Sequence, residues 1–221
     1  MKKAIAALAS FGILLQAAQG ERMDVIRLPE PRSRSDRSVE SVLRERRSVR
    51  EYRDEPLTLA EVSQLLWAAQ GITGSEGQRT APSAGALYPL EVYLVAGRVT
   101  DLPAGIYKYR PHQHELVRVA DGDKRAKLAA AALDQDCVRN APVTIALAAV
   151  YERTMKKYGQ RGVKYVHMEA GHAGQNVHLQ AVALSLGSVS VGAFEDEQVR
   201  KILNLPDNEQ PLYLLPVGRP K

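Results

Sequence analysis

The chain has 221 residues, a formal net charge of +5 at pH 7 and one cysteine, Cys137. A single cysteine excludes an intramolecular disulfide and a zinc site built from several cysteines. The length fits one main domain with a sizeable hydrophobic core, and the sequence contains no internal repeat.

The N-terminal segment predicts an export signal. Lys2 and Lys3 precede an apolar stretch, residues 4–15, that is short for a membrane span, and Ala18-Gln19-Gly20 offers small residues for cleavage. We therefore expect residues 1–20 to be a cleaved secretory signal, which predicts a periplasmic or secreted protein without stable membrane insertion. An uncleaved anchor and a buried N-terminal helix are the alternatives.

Residues 21–37 are predicted to be a linker, because they contain Pro29, Pro31 and many Ser and Arg residues without a hydrophobic period. The domain then covers residues 38–221. Eight arginines and no lysine lie between positions 32 and 53. A basic segment often binds nucleic acid, but this one lacks interleaved aromatic residues beyond Tyr52, and an exported protein seldom meets nucleic acid. We expect no nucleic-acid partner.

The first half of the domain is predicted to contain two helices followed by strands. Ser38 can cap a short helix, and Thr58 with Glu61 forms a capping box that begins a second helix, which ends at Gly71. Alternating apolar residues over 90–96 predict a strand. Residues 106–122 predict a hairpin or meander around a proline.

The second half predicts helices around 127–133, 163–186 and 199–203, a buried strand within 141–151 and a last strand within 211–218. Strands and helices alternate irregularly, which favours an α+β fold over a doubly wound parallel sheet. The long helix over 163–186 carries Gly171 and Gly174 in its middle, where each glycine costs about 1 kcal/mol relative to alanine. Close contact with another helix, for example from a second copy of the chain, would offset that cost.

Several common chemistries are not indicated. His167, His172 and His178 are five and six residues apart, so they do not share a helix face as metal-binding pairs do, and we expect no metal. They are interpreted as packing or surface histidines. No G-x-S-x-G, dinucleotide-binding or P-loop motif is present, and Cys137 is interpreted as a small buried residue.

Four segments together point to a flat, anionic ligand: RRSVR (46–50), PSAGALYP (82–89), SVSVGAF (188–194) and PVGRP (216–220). The arginines suit a phosphate, and the small residues of 82–89 suit a thin wall on which a planar ring can lie. Backbone N–H groups after a glycine can stabilise the anionic edge of a reduced ring. Flavin mononucleotide, FMN, has all of these features.

Taken in order, RRSVREY, PSAGALYPLEVYLV, EAGHAGQNVHLQA, SVGAFEDEQVRKILNL and PLYLLPVGRP resemble the FMN-dependent nitroreductase superfamily. The likeness covers about residues 43–220 and is strongest to the SagB-type, thiazole/oxazole-forming dehydrogenase branch. It implies an α+β nitroreductase-like fold, with a mixed or antiparallel central sheet flanked by helices. It also implies an intertwined homodimer with two FMN sites at its interface.

The resemblance assigns cofactor-binding roles residue by residue. The first motif would bind the FMN phosphate, ribityl chain and pyrimidine edge, the second would come from the other subunit, and the third would approach flavin N5. Arg219 would add a phosphate contact. The common family pattern has an asparagine where Ala86 stands, so that side-chain hydrogen bond is absent here. In order, these residues are Arg46, Arg47, Ser48 and Arg50; Pro82, Ser83, Ala84 and Ala86; Val191, Gly192 and Ala193; and Arg219.

The SagB-type branch also carries a Lys-Tyr pair used in acid/base catalysis. Lys157 and Tyr158 are the candidates, with Lys164 and Tyr165 as the alternative register and a solvated, charged helix start as the non-catalytic interpretation. A proton must leave whenever a hydride leaves a C–H bond, so such a pair would have a role.

We therefore predict an FMN-dependent oxidoreductase. It would transfer hydride or electrons through flavin N5 between a reduced donor, such as NAD(P)H, and a small acceptor of the nitroaromatic, quinone or azoline type. Two alternatives stay open. One is an exported protein that binds or scavenges flavin without turnover. The other is a basic exported module that binds anionic polymers.

Overall fold

A computed structural model describes residues 24–221. The predicted signal, residues 1–20, therefore lies outside the described residues. The described chain contains seven α-helices and seven strands. The helices are α1 Val39–Glu45, α2 Leu59–Gln70, α3 Arg125–Ala131, α4 Asp136–Asn140, α5 Tyr151–Tyr158, α6 Arg161–Ala183 and α7 Asp196–Leu203. The strands are β1 Val25–Arg27, β2 Leu90–Ala96, β3 Gly105–Arg110, β4 Glu115–Asp121, β5 Val143–Ala149, β6 Gly187–Ser188 and β7 Gln210–Gly218.

The strands form one sheet in the order β1-β4-β3-β2-β5-β7-β6. Every neighbouring pair within the described residues is antiparallel. The predicted α+β fold is thus confirmed, with an antiparallel rather than a mixed sheet. Strand β5 is buried along its whole length, which explains why its sequence is a continuous apolar run instead of an alternating one.

Helices cover both faces of the sheet, so the core has two parts. On one face, Leu66 of α2 and Val177 of α6 pack with Leu94 of β2. On the other face, α3, α4 and α7 pack against residues such as Val95. Leu94 and Val95 are consecutive, and they serve opposite faces because strand side chains alternate. Helix α6 lies in the first layer, where it contacts α2, α5 and β7.

The local helix signals were predicted correctly. The Ser38 hydroxyl accepts the Ser41 N–H at the start of α1. Thr58 accepts the Glu61 N–H, and the Glu61 carboxylate accepts the Thr58 N–H, which completes the predicted capping box of α2. None of the helices in the described part of the chain is long and apolar enough to cross a membrane.

The segment predicted to be a linker contains a strand. Val25, Ile26 and Arg27 form β1, which pairs with the outer side of β4, and Leu28 is buried directly after it. A three-residue edge strand is too short to show a hydrophobic period, and its partner lies far along the chain. Helices α4 and α5 were likewise not predicted as separate elements.

The two central glycines of α6 were predicted to allow close contact with another helix, and within the described chain neither of them does so. A Cβ atom at Gly174 would lie 3.5 Å from the Tyr213 ring, so this glycine allows close contact with strand β7 rather than with a helix. Gly171 is exposed, and a Cβ atom there would have no neighbouring atom within 4 Å among the described residues. Contact of that surface with a second copy of the chain stays a prediction.

Candidate active site

The turn after α1 carries three guanidinium groups without acidic partners. The Arg47 guanidinium donates to the carbonyls of Arg44 and Arg46, at 2.9 and 2.7 Å, and so lies over the C-terminus of α1. Among residues 24–221, no carboxylate oxygen lies within 4.0 Å of the guanidinium of Arg46, Arg47 or Arg50. The uncompensated positive charge of this turn suits a phosphate group.

A β-bridge holds this turn against strand β6. Ser48 pairs with Ser188, and the Val49 N–H donates to the Ser188 carbonyl at 3.0 Å. A Cβ atom on Gly187 would lie 2.6 Å from the Val49 Cβ, so only glycine allows this approach. The fold thereby brings two of the predicted cofactor-binding segments together.

The second of these segments offers free backbone donors. Val191 is fixed by two hydrogen bonds with Leu214, so its own N–H is occupied. Gly192 and Ala193 are exposed, and within the described residues neither N–H group has an acceptor. The Gln135 side chain binds the Ala193 carbonyl at 3.1 Å and steadies the loop. Two adjacent N–H groups are thus available to a ligand beside the arginine-rich turn.

His178 of α6 lies beneath this region and was not predicted to belong to it. Its Nδ1 lies 2.6 Å from the Ser188 hydroxyl and its Nε2 lies 2.8 Å from the Ser190 hydroxyl. Burial lowers the pKa of His178, and the positive charge of Arg46 lowers it further. The available sequence signal was the pair of serines at i and i+2, which point to one side of a strand.

The PSAGALYP segment forms a tight, partly strained loop. Ala84–Ala86 is one 3₁₀ turn, and Gly85, Ala86 and Tyr88 have φ of +64°, +55° and +45°. The left-handed region is unfavourable for Ala and Tyr, so other contacts must hold this shape. One is local, since the Ser83 hydroxyl accepts the Tyr88 N–H at 2.8 Å. Pro82, before the turn, is exposed.

Glu169 of α6 is a second anchor of the loop. Its carboxylate accepts the Ala84 N–H at 2.9 Å, although the residue is only 4% exposed. Burial raises the pKa of Glu169, and the hydrogen bond from Ala84 offsets part of that rise. Glu169 was not predicted as a site residue, because its partner lies 85 residues earlier in the chain.

Tyr88 is held from both sides. The Arg79 guanidinium lies 4.4 Å from the centre of the Tyr88 ring, and Arg153 of α5 donates to the Tyr88 carbonyl at 2.9 Å. Arg153 also forms an ion pair with Glu91 of β2. These contacts attach the C-terminal end of the loop to the sheet and to α5.

The predicted Lys-Tyr pair lies directly against this loop. A Cβ atom on Gly85 would lie 2.9 Å from both the Lys157 Nζ and the Tyr158 hydroxyl. The two polar tips therefore meet over the α-carbon of Gly85, and a side chain there would displace them. In the alternative register, Tyr165 contacts the Tyr158 ring edge-on at 5.1 Å, whereas Lys164 is exposed.

The environment of Arg219 differs from the predicted one. Its Nη2 lies 3.0 Å from the Glu61 carboxylate, and its Nε lies 3.3 Å from that of Glu55. Both carboxylates compensate its charge, unlike that of the arginines after α1. A phosphate contact by Arg219 would require these ion pairs to rearrange, so it is the least supported member of the predicted set.

Other chemistries find no support in the described part of the chain. No group of three or more His, Cys, Asp or Glu residues there could hold a metal ion. Cys137 is buried in α4, and burial raises the pKa of its thiol, which keeps it protonated. A buried neutral thiol is a poor nucleophile.

Helix α6 carries both halves of the candidate site, and its geometry separates them. Glu169 binds the loop at 82–89, whereas His178 binds the serines beside the arginine-rich turn. Nine residues of an α-helix span about 13 Å and rotate by about 180°. The two anchors therefore leave α6 on opposite sides.

The low pKa of His178 predicts how stability depends on pH. Because the folded chain binds this proton less tightly than the unfolded chain, the free energy of unfolding should fall as pH drops below about 6.5, the ordinary histidine pKa. In the variant His178→Gln this part of the decline should disappear, as measured by urea unfolding between pH 5 and pH 8. The exposed His112→Gln control should keep it; an unchanged decline in His178→Gln would contradict the assignment.

Comparison with known proteins supports the family resemblance. The model of the nitroreductase family matches residues 43–219, which cover most of the described chain. A nitroreductase-family protein of Methanocaldococcus jannaschii is 52% identical over 181 residues, which cover 82% of this chain and 90% of that protein.

Two further relatives extend the comparison. A crystal structure of a nitroreductase-family protein from Ralstonia eutropha has a TM-score of 0.79 at 30% identity and covers 96% of both chains. The microcin B17-processing protein McbC of Escherichia coli is 29% identical over 58% of this chain, and the match spans about half of McbC, 49% of its length. The similarity to McbC agrees with the predicted likeness to the SagB-type branch. The chain belongs to the nitroreductase family of oxidoreductases.

Proposed function

We propose that the protein is a homodimeric, FMN-dependent oxidoreductase. The observation that carries the proposal is that the predicted residues between positions 46 and 193 lie in two clusters of complementary chemistry. One cluster combines unpaired arginines with free backbone N–H groups. The other combines a small-residue loop with Lys157 and Tyr158. Arg219 alone lies in competing ion pairs.

The first cluster fits the polar parts of FMN. Arg46, Arg47 and Arg50 can bind the phosphate with charge-assisted hydrogen bonds, because no nearby carboxylate competes for them within the described residues. The N–H groups of Gly192 and Ala193 can donate to the polar edge of the ring. The loop of the second cluster, with Ala84, Gly85 and Ala86, offers a thin wall.

A homodimer would join the two clusters. Their anchors leave α6 on opposite sides. The first cluster of one subunit would therefore face the second cluster of the other subunit. A twofold axis between the subunits would form this pairing twice and so create two equivalent sites. In this arrangement, the loop and the Lys-Tyr pair come from one subunit, because they touch within the chain, and the arginines come from the other.

The electron donor and the acceptor would bind alternately at one site, in a ping-pong order. The cofactor, held by the residues of the first cluster, would supply hydride transfer between NAD(P)H or another reduced donor and the acceptor. Reduction of a quinone to a hydroquinone takes one proton besides the hydride, and reduction of a nitro group to a nitroso group also takes one proton besides the hydride and releases water. Lys157 and Tyr158 would supply or remove the proton at the substrate, since their polar tips lie together at the loop.

Two other functions predict different behaviour. A protein that stores or scavenges flavin would bind FMN but would not need Lys157 or Tyr158. A basic module for anionic polymers would bind no flavin and would lose affinity steeply with salt. Export to the periplasm or the cell exterior stays a prediction from residues 1–20, and an exported flavoprotein would have to acquire FMN after export.

FMN binding tests the cofactor assignment. The wild-type protein should bind FMN at micromolar concentration and become yellow. The double variant Arg47→Gln/Arg50→Gln should bind FMN about 10- to 100-fold more weakly, because two charge-assisted contacts to the phosphate are lost. Dissociation constants come from quenching of flavin fluorescence.

Riboflavin, which lacks the phosphate, is the matched ligand control, and its affinity should change by less than about twofold in the double variant. Arg44→Gln removes an exposed charge one turn earlier and should leave both affinities unchanged. A wild-type protein that binds no flavin would rule out FMN dependence. Equal losses for FMN and riboflavin would refute the phosphate assignment alone.

Steady-state turnover tests the acid/base pair. Lys157→Gln and Tyr158→Phe should each lower kcat with an uncharged quinone by about 100-fold, a typical contribution of general acid catalysis. Their FMN affinity should stay near that of the wild type. Lys156→Gln removes the neighbouring exposed charge and should retain activity. If both variants turn over at the wild-type rate, the pair is dispensable and the flavin-carrier alternative gains support.

A further inference from the structure

The hairpin formed by α5 and α6 concentrates positive charge beside the Lys-Tyr pair. Between residues 151 and 165 there are five lysines and arginines and one acidic residue, Glu152. Arg153 is neutralised by Glu91. In the described chain, no carboxylate lies within 4.0 Å of the side-chain nitrogens of Arg161 or Lys164. Both residues are exposed, so their charges face solvent without a partner.

These cations are connected to the candidate active site through aromatic rings. The Arg161 guanidinium lies 5.7 Å from the centre of the Tyr165 ring. Tyr165 packs edge-on against Tyr158 at 5.1 Å, and Tyr158 reaches Gly85 of the loop. An unbroken series of contacts therefore runs from the cationic surface to the predicted flavin wall.

The helix period places Arg161, Lys164 and Tyr165 on one face of α6, since they are three and four residues apart. We call this face the cationic rim. It combines two positive charges with an aromatic surface, and it belongs to the same chain as the loop and the Lys-Tyr pair. An organic ring can lie beside Tyr158 and Tyr165 while a negative substituent reaches the rim.

From this arrangement we propose that the physiological acceptor is a planar organic anion whose carboxylate, sulfonate or phosphate group binds the cationic rim. The proposal rests on the oxidoreductase function proposed above and specifies the substrate class of that site. The rim is distinct from Arg46, Arg47 and Arg50, which would bind the FMN phosphate. Exposed cations act mainly by raising the rate and strength of binding, so they should affect kcat/KM and be sensitive to salt.

Two nitroaromatic acceptors of equal shape test this proposal. 4-Nitrobenzoate carries a carboxylate where 4-nitrobenzamide carries a neutral amide. With NADPH or NADH as donor, the ratio of kcat/KM for the benzoate to that for the benzamide should fall about tenfold in Arg161→Gln/Lys164→Gln, because two exposed charge contacts are lost. The ratio also cancels any general effect of the substitutions. High salt should lower the ratio in the wild type but hardly in the variant.

Binding gives a readout that does not depend on turnover. The dissociation constant of 4-nitrobenzoate, followed through the visible absorption of bound oxidised FMN, should rise by a similar factor in the double variant. Lys124→Gln/Lys127→Gln removes two charges around α3, on the other face of the sheet, and should leave the ratio unchanged. The charge reversal Arg161→Glu/Lys164→Glu should lower the ratio further.

The failures of the two proposals are distinguishable. If the wild type binds no FMN, or reduces neither these two acceptors nor an uncharged quinone, the proposed function itself fails. If both acceptors are reduced but the ratio is equal in the wild type, the rim variant and the control variant, the oxidoreductase stands and the anionic-acceptor proposal is overturned. The same holds if the control variant lowers the ratio as much as the rim variant does.

Discussion

The two halves of the candidate site are anchored on opposite sides of helix α6. This constraint determines how a complete site can form. Glu169 holds the loop at 82–89, and His178 holds the serines next to the arginine-rich turn. Helix α6 packs against α2, α5 and the sheet, so both anchors belong to a helix that many contacts hold in place. A site completed by a second copy of the chain, as proposed above, is consistent with this arrangement.

The polar anchors of α6 are costly to bury and are compensated locally. Burial disfavours the charged forms of both Glu169 and His178, as the directions of their pKa shifts indicate. The hydrogen bond from the Ala84 N–H to Glu169, and those between His178 and the two serines, offset part of the desolvation cost. The loop anchored by Glu169 also contains left-handed Ala86 and Tyr88. Strain of this kind persists only where surrounding contacts enforce it, and such positions cluster at functional sites.

Local features were predictable from the sequence, and long-range ones were not. The capping box of α2 and the strand at 90–96 depend on residues a few positions apart, so the sequence alone specifies them. Strand β1 was missed because its three residues gain their structure from β4, far along the chain. The segments proposed to bind the cofactor were recognised through their order and composition, and their role stays a prediction. Glu169 and His178 were overlooked because each acts through a partner that becomes visible only in the fold.

Complementation between two impaired variants, assayed at an FMN concentration that saturates the wild type but not the arginine variant, tests the shared site most directly. Arg47→Gln/Arg50→Gln removes the phosphate half, and Lys157→Gln/Tyr158→Phe removes the acid/base half. If each site combines two subunits, dissociating and reassociating an equal mixture should restore about a quarter of wild-type activity, because half of the dimers are mixed and each contains one intact site. If the mixture shows only the average activity of the two parent variants, each site lies within one subunit and the shared site is refuted.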